Sequence, residues 1–143
     1  MISHSFEQTK QIAQNFASTL CGGDIVFLEG DLGVGKTTFV QGILESLGYT
    51  EPVRSPTFSL MNVYLIKNHL TIQRVIHLDF YRFETPAEIR SLGLEEFLED
   101  TQNVFLIEWP EKGIEKKSNI FYTKFITFKS LDEQTRQIII HSR

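Results

Sequence analysis

The sequence is 143 residues long, 41% hydrophobic and 22% charged, with a formal net charge of −4. That length and composition predict one compact domain, and the acidic balance excludes a broad basic surface for nucleic acid while leaving room for a local patch. No apolar run is long enough to span a bilayer, the N-terminus has no basic segment followed by an apolar one, and Cys21 is the sole cysteine, so a cytoplasmic protein without membrane contact or intrachain disulfide is expected. Cys21 itself reads as a small packing residue near a helix end.

In chain order, Ser5 and Gln8 have the form of a capping box. Behind it Phe6, Ile12, Ala13, Phe16, Ala17 and Leu20 recur at helical spacing until Gly22-Gly23 stop the pattern. Asp24–Leu28 is a short continuous apolar run, typical of a strand covered on both faces. A glycine-rich loop follows, and Thr37–Leu47 reads as a helix ended by Gly48. Pro56 opens an irregular stretch. The runs Phe58–Ile66 and Thr71–Phe80 then predict an antiparallel hairpin. Thr85 and Glu88 form a second capping box, with Pro86 at the first helical position, and a short helix is expected to end or kink at Gly93. A further amphipathic piece runs to about Glu99. Asn103–Trp109 is a buried-type strand ended by Pro110, and Asn119–Phe128 with Thr135–His141 predict a closing strand pair. The fold expected is a three-layer α/β sheet of P-loop type, with a parallel core, an antiparallel hairpin and C-terminal strands.

Gly30-Asp-Leu-Gly-Val-Gly35-Lys36-Thr37 matches the P-loop pattern G-x-x-x-x-G-K-[ST], with an apolar strand before it and a helix after. Each fixed residue has a task. The glycines let the backbone turn and approach phosphates closely, and the loop amides form an anion nest at the positive end of the helix. Lys36 is expected to neutralise the β- and γ-phosphates, and the Thr37 hydroxyl to ligate magnesium. The site also needs an acid at a neighbouring strand end, and there are two. Glu108 ends the run Val104–Ile107 and is preferred on spacing; Asp79 ends the weaker run Val75–Leu78. His77 and Asp79 share a strand face, but no His/Cys cluster completes a zinc site, so a hydrogen-bonded core histidine is expected. Thr57 can sense a γ-phosphate or simply begin a strand. Trp109 is a packing residue that should lie near the nucleotide.

With these residues in view, the sequence resembles the TsaE (also called YjeE) family of small bacterial P-loop ATPases over nearly the whole chain. The resemblance rests on GDLGVGKTTF (Gly30–Phe39), SPTF (Ser55–Phe58), HLDFYR (His77–Arg82), LGLEEF (Leu92–Phe97) and IEWPEKG (Ile107–Gly113). It implies binding of ATP or ADP with Mg2+ and slow ATP hydrolysis in isolation. It further implies a role in forming N6-threonylcarbamoyladenosine at adenosine 37 of tRNAs that read codons beginning with A. The implied partners are TsaD, which transfers the group, and TsaB; tRNA is met only through that complex. By position, the resemblance makes Thr37 and Glu108 metal ligands and places Thr57 and Asp79 around the γ-phosphate and attacking water, with Lys36 completing the catalytic set. Nucleotide contacts are expected from Gly30, Gly33, Val34, Gly35, Lys36, Thr37 and Thr38, with Trp109 closing on the site and the adenine near Phe6–Thr9, Thr9 included. A longer hairpin around Lys67–Ile72 departs from the family's better-known members. Two other readings stay open at this point. One is a small-molecule kinase, for which Thr85–Asp100 is a short and acidic lid; the other is a nucleotide-gated binding module without hydrolysis. No residue is an obvious arginine finger; Arg82 is a cis candidate or, alternatively, part of a partner surface.

Overall fold

A computed structural model describes residues 1–113 and 120–142. The elements follow in the order β1 (Ile2–Ser3), α1 (Phe6–Ala17), β2 (Ile25–Glu29), α2 (Lys36–Ser46), β3 (Met61–Leu65) and β4 (Arg74–Asp79). Then come α3 (Pro86–Arg90), α4 (Leu94–Glu99), β5 (Asn103–Glu108), α5 (Pro110–Gly113), β6 (Lys124–Ser130) and β7 (Arg136–Ser142). Asn119, where the sequence starts the penultimate strand, lies outside the described residues.

The strands form one sheet in the order β1-β7-β6-β2-β5-β4-β3. β2 pairs in parallel with both β5 and β6, and β4 pairs in parallel with β5. The β3–β4, β6–β7 and β1–β7 pairings at the flanks are antiparallel. The predicted parallel core and hairpin are therefore present, with β6 inserted beside β2.

Strand periodicity divides the apolar residues between two layers of helix. Val26, Leu28, Val104 and Leu106 join Ala13, Phe16, Phe39, Val40 and Ile43 under α1 and α2. Phe27, Phe105, Ile107, Ile76 and Leu78 face the other way, toward Ile89 and Leu94 of α3 and α4. That is the three-layer arrangement expected. It has a consequence for polar groups: His77, Asp79 and Glu108 share parity with Val75, Val104 and Leu106, and so lie on the face that carries α2.

Local signals hold at most helix ends. Ser5 caps α1, accepting from Gln8 N at 3.1 Å, but the Gln8 side chain accepts from His4 N rather than closing the reciprocal bond. Glu88 Oε2 accepts from Thr85 N at the start of α3.

Several expectations are corrected. Phe6 is 60% exposed, because its place on the first turn of α1 lies beyond the edge of the core. Cys21 is exposed rather than packed; its backbone N–H donates to Asp24 Oδ2. The hairpin strands are shorter than their apolar runs: Pro56–Leu60 forms a turn closed by Leu60 N donating to Pro56 O, and Phe58 is 82% exposed. Pro110 does more than end β5, for it opens the short helix α5, where a missing N–H is harmless. β1 has no local signal and exists through its pairing with β7.

Candidate functional site

The chain leaves β2 at Glu29 and enters α2 at Lys36, so the glycine loop sits at the carboxyl end of an interior parallel strand. Gly33 and Gly35 take φ of 75° and 112°, a left-handed region that a side chain resists. Gly30 is needed for a different reason. A Cβ there would lie 2.8 Å from Phe128 O and 2.9 Å from Phe128 Cβ, so the loop can press against β6 only without one. Gly35 caps α2, which aims the orphan amides of the first turn into a cleft of about 290 Å³.

Leu32, Gly33, Gly35, Lys36, Thr37 and Thr38 line one side of that cleft. Phe6, Ser55, Thr57, Asp79 and Glu108 line the rest, drawn from α1, the turn before β3, and the ends of β4 and β5. Val34 instead packs into the core, and Gly30 enters through its carbonyl, which accepts a short hydrogen bond from Lys36 Nζ. Lys36 Nζ also donates to Asp31 O at 3.2 Å and lies 4.6 Å from the centre of the Trp109 ring. Burial pushes the Lys36 pKa down, and attraction to Glu108 and Asp79, then Glu111 and Asp31, only partly restores it.

The two acids are committed differently. Asp79 Oδ2 accepts from Thr57 Oγ1 at 2.8 Å and its Oδ1 accepts from Tyr81 N at 2.8 Å. Thr57 is in turn hydrogen-bonded to Ser55 Oγ at 2.7 Å. Glu108 Oε1 accepts from His77 Nε2 at 2.8 Å, the one hydrogen bond that the carboxylate makes among the described residues. Glu108 thus keeps an oxygen for a ligand. His77 is the hydrogen-bonded core histidine expected, although the sequence did not name its partner.

Trp109, next along the chain, takes φ of 53°, which turns its ring to Lys36 and to Tyr81, 5.0 Å away between ring centres. Its indole N–H is buried without a hydrogen-bond partner among the described residues.

Thr9 is not brought into the cleft. Its hydroxyl is buried and engaged with Ser3 Oγ at 2.7 Å, Ser5 O at 3.1 Å and Arg136 at 3.0 Å. Arg82 is also elsewhere, stacked on the Phe58 ring at 4.2 Å. Sequence reasoning missed Arg136, which is buried on β7 with its side chain against Gly35, and it missed Ser55 and Leu32 as lining residues. Arg136 stands in an alternating strand with no motif around it, so nothing local marks it.

The donors at the cleft fit magnesium. A threonine hydroxyl and one carboxylate are hard oxygen ligands, and a cation that keeps waters and phosphate oxygens needs few protein ligands. Among the described residues no group of three or more His, Cys, Asp or Glu gathers to enclose a metal.

Comparison with known proteins identifies the family. The sequence profile described as "Threonylcarbamoyl adenosine biosynthesis protein TsaE" matches residues 3–138. The chain belongs to the TsaE family. It is 47% identical over 111 residues to the tRNA threonylcarbamoyladenosine biosynthesis protein TsaE of Rickettsia bellii (strain RML369-C), covering 77% of this chain and 73% of that one. It is 40% identical over 136 residues to the TsaE protein of Nostoc sp. (strain PCC 7120 / SAG 25.82 / UTEX 2576), covering 92% and 78% respectively. The crystal structure of YdiB from Bacillus subtilis superimposes with a TM-score of 0.72 at 31% identity, covering 99% of this chain and 83% of that one. No helix among the described residues is long and apolar enough to cross a membrane.

Proposed function

We propose that this TsaE-family protein is a magnesium-dependent P-loop ATPase that serves threonylcarbamoyladenosine formation in tRNA, working with TsaD and TsaB homologues in the cytoplasm. The observation that carries this reading is the meeting of the glycine loop, Lys36, Thr37, Asp79 and Glu108 around one cleft at the carboxyl ends of β2, β4 and β5. ATP is the substrate and ADP the product that would occupy it.

The roles follow from what each residue is free to do. The amides at the start of α2 hold phosphate oxygens by hydrogen bonds and by the positive end of the helix. Lys36 exchanges its bonds to the Gly30 and Asp31 carbonyls for bonds to the phosphates. Thr37 and Glu108 would hold the magnesium ion, which when bound offsets the negative charge of the phosphate chain. Asp79 and Thr57, already joined by a hydrogen bond, orient the attacking water, and the Asp79 carboxylate receives its proton. Trp109 does not line the cleft itself; its ring packs against Lys36 Nζ and helps hold the ammonium in place.

Lys36 is the only cation lining the cleft among the described residues. Charge developing on the transferred phosphoryl group is then incompletely matched, which favours slow turnover alone and acceleration by a partner that adds charge. The test is release of inorganic phosphate from ATP, with and without magnesium and the TsaD–TsaB pair, alongside threonylcarbamoylation of tRNA over many turnovers. Magnesium-dependent release that rises with the pair supports the reading. Multiple-turnover modification that proceeds equally well without this protein overturns it.

A further inference from the structure

The sheet carries a buried polar pair in a region otherwise built of Val, Ile, Leu and Phe. His77 is fully buried in the middle of β4, Glu108 is 3% exposed at the end of β5, and their side chains meet at 2.8 Å. The carboxylate has only lone pairs to offer, so the imidazole donates through Nε2–H. The other ring nitrogen, Nδ1, is buried without a hydrogen-bond partner among the described residues. For packing alone an aliphatic residue at position 77 would serve better, since it would leave no polar atom unsatisfied. What His77 provides that an aliphatic cannot is one directed hydrogen bond to one oxygen of Glu108.

We infer that His77 is a positioning residue: by holding Glu108 Oε1 it fixes the carboxylate so that Oε2 is presented to a divalent cation in the cleft. The register makes this possible. Asp79 pairs with Glu108 across β4 and β5, and His77, two residues earlier, points to the same face and reaches diagonally across to the carboxylate. Without that bond Glu108 has no hydrogen-bond partner among the described residues, and its side-chain torsions are left to the packing around it. Asp79 needs no such help, because Thr57 and Tyr81 N already hold both of its oxygens. Partners that orient a metal-binding carboxylate in this way commonly affect metal affinity nearly as much as the ligand itself.

This inference rests on the nucleotide-and-magnesium reading of the cleft, and the experiment separates the two. His77→Gln places an amide N–H near the position of Nε2, whereas His77→Asn places it near Nδ1, out of reach of Glu108. Both keep a polar side chain at 77, so a loss of packing affects both. Two quantities are read: the affinity for ADP by calorimetric titration with and without magnesium, and the ring-nitrogen NMR signals of histidine-labelled apo protein. The wild-type apo protein should show His77 as the Nε2–H form, with a slowly exchanging proton that Glu108→Ala loses. Asn at 77 should reduce the strengthening of ADP binding by magnesium about tenfold, while Gln restores most of it. Metal-free ADP binding should stay at the wild-type level in both. In the Glu108→Gln background, changing His77 to Asn should cause no further loss. Equal magnesium effects in wild type, Gln and Asn variants, or equal losses in both variants, overturn the inference and leave the ATPase reading standing. A wild-type protein whose ADP affinity ignores magnesium overturns both.

Discussion

Asp79 and Glu108 are register partners on the adjacent parallel strands β4 and β5, so two carboxylates end their strands side by side at one cleft. Their hydrogen bonds separate them. Both oxygens of Asp79 are occupied by Thr57 and Tyr81 N, while Glu108 spends one on His77 and keeps one. Glu108→Gln is therefore expected to lower magnesium-dependent ATP turnover roughly 100-fold while nucleotide still binds. Asp79→Asn should slow turnover without removing the magnesium dependence of binding. Phosphate release and calorimetric titration distinguish the two, and the reverse pattern would exchange the proposed roles.

Lys36 should cost the apo protein stability. Burial holds its pKa below the ordinary 10.5 despite the attraction of Glu108 and Asp79. The unfolded chain then binds the proton more readily than the folded one, so stability rises as pH climbs through the window between the folded value and 10.5, and the cost is fully present below that window. Lys36→Met removes the buried cation and should stabilise by about 1 kcal/mol, or about 2–4 °C in Tm. The same variant should lose the thermal shift that ATP gives to wild type. A lower Tm for the variant would show that the carbonyl contacts of Lys36 outweigh its desolvation.

Asp24 ties the start of β2 to the start of β6. Burial alone would raise its pKa, but Lys124 Nζ at 2.7 Å, the Cys21 N–H at 2.8 Å and Thr123 Oγ1 at 2.7 Å together bring it below the ordinary 3.8. A depressed carboxylate contributes stability that is present above 3.8 and lost as pH falls through the folded value. Asp24→Asn should cost about 2 kcal/mol at neutral pH. Its deficit against wild type should narrow well below pH 3.8, as read from urea unfolding at the two conditions. A deficit independent of pH would mean that shape, not charge, is what Asp24 supplies.

Gly42 lies inside α2 where that helix packs on α1. Propensity favours alanine there by about 1 kcal/mol. Yet a Cβ at 42 would lie 2.7 Å from Ala13 Cβ and 2.7 Å from Lys10 O, and the second of these is backbone that cannot rotate away. The close approach should win, so Gly42→Ala destabilises by about 1–2 kcal/mol, and Gly42→Val by more. An unchanged urea midpoint for the alanine variant would mean that the helix pair can separate at little cost.

What the sequence by itself determined is what is encoded within a few residues. The glycine loop was legible because its backbone needs φ values that side chains resist, as Gly33 and Gly35 show. Ser5 and Thr85 marked helix starts because caps act on amides two or three residues away. The continuous apolar runs Val104–Ile107 and Val75–Leu78 put Glu108 and Asp79 at strand ends, and with the P-loop this located the cleft. Only the tertiary structure decided which groups meet across the sheet. His77 reaches a carboxylate 31 residues away, Arg136 reaches Thr9 across 127 residues, and β6 settles beside β2 with no local mark of that choice. The two residues of β1 are a strand only because β7 supplies their partner. The physical reason is that period and capping are properties of a short segment, whereas pairing and register are selected by the competition of all apolar faces for one core.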